Sequence, residues 1–106
     1  MLKINLFCQL GISSSLFAKK LQEEINHQKL DWSVSANNIH DISEIYPTSD
    51  FVLVSPAVTL LPAYKKTIQQ LEDAFPHVKI KTIDADIYFS LELEKMTKDI
   101  QKELKN

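Results

Sequence analysis

Residues Phe51 to Val54 read FVLV, four consecutive apolar residues closed off by Asp50 before and by Ser55-Pro56 after. A run this short is strand length, and it has no polar face to turn toward water. That is the pattern of a strand covered on both sides, the usual condition of strands in parallel sheets. A chain containing it has to supply helices for both faces, and this one does so by alternation. Leu2 to Phe7, LKINLF, reads as a first buried strand. Leu16, Phe17, Leu21 and Ile25 then recur at helical spacing among charged residues, which predicts an amphipathic helix from roughly Ser13 to His27, with Ser13 or Ser14 as its N-cap.

The pattern repeats along the chain. Asp31 to Ala36 alternates as a second strand, with Trp32, Val34 and Ala36 on one face. A short helix is expected around Ile42 to Tyr46, before Pro47. After the FVLV strand, Leu61, Tyr64, Ile68, Leu71 and Phe75 form a helical stripe, with Pro62 in or near the first turn, where its missing N–H costs little. Val78 to Ile83 reads as a fourth strand. Leu93, Met96, Ile100 and Leu104 mark a last helix, whose Lys98, Lys102 and Lys105 suit the negative end of its dipole. Strands alternating with helices imply right-handed crossovers and a parallel sheet. The expected fold is a three-layer α/β/α domain spanning residues 1–106.

The totals exclude several roles. A chain of 106 residues is enough for one domain and too short for two. With 44% hydrophobic and 25% charged residues it can bury a working core without metals or disulfides. A net charge of −2 gives no basic surface for nucleic acid. No stretch approaches the roughly 20 apolar residues of a membrane span. The opening MLKINLFCQLG is short and lacks a small-residue cleavage pattern, so a cytoplasmic location is expected. The single cysteine rules out an intrachain disulfide and a cysteine-rich metal site. Nothing in the chain calls for a cofactor.

A lone cysteine is usually an inert core residue, and Cys8 is distinguished by its position. It closes the first strand and precedes a loop, Gln9-Leu10-Gly11-Ile12-Ser13-Ser14-Ser15, that runs into a helix. Ligands of open parallel sheets bind beyond the carboxyl ends of the strands. A helix N-terminus there offers unpaired N–H groups and a positive dipole end, which bind anions and favour a thiolate. Gly11 is the only glycine of the chain, and the absence of a Cβ lets backbone approach an anion closely. Three serine hydroxyls add donors. The expected chemistry is phosphoryl transfer to sulfur, with positioning and electrostatics carrying the catalysis.

The segment LFCQLGISSSLFAKKL resembles the phosphocysteine loop of the enzyme IIB components of the lactose and cellobiose (and diacetylchitobiose) type of bacterial sugar phosphotransferase system. FVLVSPAVTLLP is similar to that family's strand ending in a Gly/Ala-Pro-Gln element, and TIDADIYFSL to its last strand exit, Ile-Asp followed four residues on by Tyr. The resemblance implies a four-stranded parallel sheet of order 2-1-3-4, like that of low-molecular-weight tyrosine phosphatases. It implies that Cys8 accepts a phosphoryl group from a phosphohistidine of a IIA partner. Cys8 would then pass it to a sugar, a β-glucoside or a disaccharide such as cellobiose or lactose, held by a membrane IIC transporter. Gln9 to Ser15 would cradle the phosphate in a monomeric protein. The chain departs from the pattern at Ala57, in place of Gln, at Phe89, in place of Gly, and at the bulky Gln9-Leu10 pair. Those departures leave a regulatory, non-transporting paralogue as the alternative.

A third reading is a thiol phosphatase or arsenate reductase. The phosphatase loop has Cys, five residues, then Arg; here Ser14 stands at the arginine position. No Asp-Pro supplies a general acid and no second thiol resolves an intermediate. Lys19 and Lys20 lie more than a turn into the helix, so the anion has to rest on backbone N–H groups and serines. An arginine at position 14 is expected to speed hydrolysis of a thiophosphate. His27, His40 and His77 are read as surface or capping residues, Asp84 and Asp86 as loop and cap residues for the last helix, and Tyr88 as a packed ring. Leu10 and Ile12 are read as partner-docking contacts, because exposed apolar residues often mark interfaces.

Overall fold

The computed structural model describes residues 1–9 and 12–105, with side chains at all of these except 12 and 13. In chain order the elements are β1 (Leu2–Cys8), α1 (Ile12–His27), β2 (Trp32–Asn38), α2 (Ile42–Ile45), β3 (Phe51–Val54), α3 (Pro62–Ala74), β4 (Lys79–Thr82), α4 (Ala85–Ser90) and α5 (Leu93–Lys105). Short 3-10 turns flank α2 and fill Pro56–Leu60 before α3. The strands form one parallel sheet of order β2-β1-β3-β4, as the sequence pattern and the family resemblance imply.

This order explains why the sheet is covered on both sides. The step from β1 to β2 runs toward one edge, and the step from β3 to β4 toward the other. Right-handed crossovers therefore place α1 and α3 on opposite faces. Period-two alternation divides the strands accordingly. Ile4, Leu6, Phe51 and Leu53 pack with Phe17, Leu21 and Ile25 of α1 and with Met96 and Ile100 of α5. Phe7, Val52 and Val54 pack on the other face with Ile42, Tyr46, Val58 and Leu71. All four residues of FVLV are buried, the condition their composition required.

Several of the buried polar side chains in these layers are paired, as burial favours. Asn5 is 2% exposed in the middle of β1; its amide donates to Ser49 Oγ at 2.6 Å and accepts from Asn37 Nδ2 at 3.1 Å. Gln22 of α1 closes the outer edge of β2, accepting from the Val34 N–H at 2.8 Å and donating to the Trp32 carbonyl at 3.0 Å. An edge strand so capped offers fewer open groups to another chain. Among the described residues no helix is long and apolar enough to cross a membrane.

The structure differs from the sequence expectations in two places that bear on the site. First, α1 begins at Ile12, so the serine run is the first turn of the helix, and Ser13 and Ser14 are not its cap. Short polar side chains suit a first turn, whose N–H groups have no intrahelical partner. Second, a helix of six residues, α4, stands between β4 and the last helix. Asp84 caps this helix, accepting from the Asp86 N–H at 2.9 Å, so it is not a cap of the last helix. Leu91 ends it in the left-handed conformation at φ 53°, and the Glu92 N–H closes the turn onto the Ile87 carbonyl.

Candidate functional site

The carboxyl ends of the four strands form one edge. Cys8 stands opposite Asn38, Phe7 opposite Val54, and Val54 opposite Thr82. The chain leaves β1 toward one side of the sheet and β3 toward the other, so the crevice between these two strands is the topological switch point, where ligands of open α/β sheets bind. Cys8 is the last residue of β1 at that point, and it is 6% exposed. Strand alternation puts it on the face of Ile4 and Leu6, the face that α1 covers.

Helix α1 starts four residues after the cysteine, closer than a seven-residue loop would leave it. Its core-facing stripe is Ser14, Phe17, Ala18, Leu21 and Ile25, at the i, i+3, i+4 spacing of one helix face. Ser14 opens the stripe in the first turn and so lies at the carboxyl edge of the sheet. It is 0% exposed, and its Oγ has no hydrogen-bond partner among the described residues. Ser15 is exposed on the flank of α1, in a groove over Val34 and Ala36 of β2. Gln9 is exposed at the bend after β1. Leu10 and Gly11, and the side chains of Ile12 and Ser13, lie outside the described residues, as do the roles expected of them.

The next strand supplies Ser55, whose strand end the sequence marks as a place where a ligand could bind without giving the residue a role. Ser55 follows β3, and its N–H donates to the Phe7 carbonyl at 3.1 Å. It is 1% exposed, and its Oγ also lacks a partner among the described residues. The signal available in sequence was a serine ending an otherwise apolar strand at the same edge as Cys8.

Aromatic packing joins α1 to α4. The Tyr88 ring is buried and stacks on Phe17, with centroids 5.0 Å apart and planes 29° apart. Phe89 meets Tyr88 edge to face and is 74% exposed. Leu16, Leu60 and Leu91 are also exposed. All four of these apolar residues belong to segments that leave the carboxyl edge. The cations expected in the second turn, Lys19 and Lys20, are exposed, and Lys20 pairs with Glu23 at 3.8 Å. His40 hydrogen-bonds the Tyr64 hydroxyl, and His77 lies edge-on to Phe75. Among the described residues no group of three His, Cys, Asp or Glu side chains could hold a metal ion.

Comparison with known proteins bears on what this arrangement is. The family model described as the lactose/cellobiose-specific IIB subunit of the PTS system matches residues 3–99. No curated protein sequence gives a significant match. Among solved structures, the lactose-specific IIB component domain of the phosphoenolpyruvate:carbohydrate phosphotransferase system from Streptococcus pneumoniae superposes with a TM-score of 0.73. It is 14% identical, over 92% of this chain and 95% of that one. The cellobiose-specific phosphotransferase IIB component from Borrelia burgdorferi gives 0.71 at 21% identity, over 92% and 85%. At these identities the structural likeness speaks for the fold: a parallel four-stranded sheet wrapped by helices over nearly the whole chain.

Proposed function

The chain belongs to the lactose/cellobiose-specific IIB family of the sugar phosphotransferase system, and from that premise we propose that Cys8 is its phosphoryl carrier. The observation that carries the reading is the seat of Cys8, last in β1 at the switch point and on the face of the sheet beneath the first turn of α1. Helix N–H groups there favour both a thiolate and the oxyanion it would carry.

The reaction has two transfers. The Cys8 thiolate attacks phosphorus of a phosphohistidine on a IIA partner; the S–P bond forms, the P–N bond breaks, and the imidazole nitrogen leaves with the electron pair. A sugar hydroxyl bound by a IIC transporter then attacks the same phosphorus. The O–P bond forms, the S–P bond breaks, Cys8 returns as thiolate, and the hydroxyl proton passes to a base or to water. Little covalent work falls to the protein, so orientation and N–H donors supply the catalysis. The sugar is a β-linked disaccharide such as lactose or cellobiose, or a related β-glucoside. The protein works as a monomer at the cytoplasmic side of the transporter and needs no cofactor. Leu16, Leu60 and Phe89, exposed on segments that leave the edge, suit docking of the two partners, beside the contacts expected of Leu10 and Ile12.

The test is chemical. Incubation with the phosphorylated donor proteins of a lactose/cellobiose-type system should leave an acid-labile, iodine-sensitive phosphoryl group on Cys8, absent in Cys8→Ser. A protein that stays unphosphorylated while its donor turns over with an authentic IIB overturns the carrier reading in favour of a regulatory paralogue. Release of inorganic phosphate from aryl phosphates would assign a phosphatase instead.

A further inference from the structure

Ser55 holds a position beside Cys8 that the carrier reading leaves without a task. Val54 and Phe7 stand opposite each other in the β1–β3 register, and the Ser55 N–H reaches back to the Phe7 carbonyl at 3.1 Å. One residue further along each strand, Ser55 and Cys8 are neighbours across a strand spacing of about 5 Å. Ser55 keeps extended backbone, with φ −66° and ψ 154°, so the strand alternation continues through it. Its side chain therefore follows Phe51 and Leu53 onto the face of α1, which is also the face of Cys8.

On that face the hydroxyl is buried and has no partner among the described residues. Buried hydroxyls are almost always paired, and one left unpaired bears the full loss of hydration. The unpartnered hydroxyl of Ser14 lies at the same edge, carried there by the first turn of α1. Two orphan donors from two elements thus lie at the carboxyl edge of the sheet, on the side that α1 covers.

We propose that Ser55 is a positioning residue whose hydroxyl donates a hydrogen bond to an oxyanion held at Cys8, an inference that rests on the phosphoryl-carrier reading. A serine offers one O–H donor. In the resting protein its hydration is already lost, so a bond to a phosphoryl oxygen meets no further desolvation. Charge-assisted bonds of this kind are stronger than neutral ones. The hydroxyl approaches from the β3 side and so helps fix the direction of the S–P bond.

Inorganic phosphate is the probe. Alkylation of Cys8 by iodoacetamide is followed against phosphate concentration in the wild type, Ser55→Ala and Ser55→Gly, with melting temperatures measured alongside. Phosphate is expected to protect the wild type, and half-protection of Ser55→Ala is expected at about tenfold more phosphate, the value of one hydrogen bond to a charged group. Without phosphate, Ser55→Ala should melt no lower than the wild type, because it removes an unpaired buried hydroxyl; a packing role would instead lower melting and leave phosphate affinity alone. Equal half-protection in the wild type and both variants overturns the assignment, as a hydroxyl served only by buried water would give, and leaves the carrier reading standing. Absence of protection in the wild type also overturns it, while the phosphoryl adduct on Cys8 decides the carrier reading separately.

Discussion

Two neighbouring strands leave the sheet at one edge, and the two exits are built differently. After β1 the helix begins within four residues, and the first residue of its core stripe is a buried serine. After β3 the 3-10 turn Pro56–Leu60 intervenes, and α3 then opens on Pro62 behind Leu61, which makes no side-chain cap. Proline lacks an N–H, and the turn carries the helix away from the strand end. One topology therefore yields a helix that starts close after Cys8 and one that starts further past Ser55. The lesson is that the parallel sheet selects the edge, while the length and first residues of each connection select how near a helix terminus comes to each strand end.

The largest test of this contrast moves the thiol. Cys8→Ser should abolish phosphoryl acceptance, and adding Ser55→Cys to it should not restore the reaction. Without the preorganised N–H donors of α1, transfer to the second position is expected to be slower by about 10²-fold or more. Labelling with a phosphorylated donor measures both variants. A double variant that is phosphorylated at near wild-type rate would show that the two exits are equivalent, and the comparison would fail.

A smaller effect compares how tightly the exits are closed. Ser14 is 0% exposed, so Ser14→Arg must bury an unpaired guanidinium against the sheet; a loss of about 3–5 kcal/mol is expected in denaturant unfolding. Burial thus replaces the simpler expectation that an arginine there would reach a thiophosphate and speed its hydrolysis. Thr59 sits exposed in the turn of the second exit, and Thr59→Arg should change stability by no more than about 1 kcal/mol. Similar losses in the two variants would mean that the first exit is as open as the second.

Much of this was legible in sequence because the signals were of long range or strongly periodic. The FVLV run required cover on both faces, and the stripes of α1, α3 and α5 are where helical spacing places them. The start of α1 was misread because three serines look the same in a loop and in a first turn, where the N–H groups are unpaired in either case. Helix α4 was missed because its stop carries no mark. Leu91 takes the left-handed conformation that glycine or asparagine would have advertised, as Lys29 does after α1. Cys8 could be singled out in sequence by its strand end together with the sole glycine and the serine run that follow it. Ser55 could not, since only the β1–β3 register and the burial of its hydroxyl set it beside the cysteine.

The smallest effect concerns a third unpartnered hydroxyl, which separates an orphan donor at the edge from one in a core. Tyr46 lies fully buried beneath the second exit, packed with Val54 and Val58, and its Oη has no partner among the described residues. No anion is needed there. Tyr46→Phe should therefore be neutral or stabilising by about 1 kcal/mol at pH 7, and phosphate should stabilise it as much as it does the wild type. Burial, and secondly the negative charge of Glu72, push the Tyr46 phenol up from 10.0 to about 12. Its pKa is thus raised in the folded state, so its contribution is constant below pH 10. Above that the unfolded chain loses the phenolic proton first, and stability falls until the folded pKa is passed near pH 12. Unfolding measured from pH 9 upward should show this decline in the wild type and a shallower one in Tyr46→Phe. Equal slopes would mean that the phenol is hydrated in the folded protein, and that the orphan hydroxyls of the edge and of the core are not different in kind.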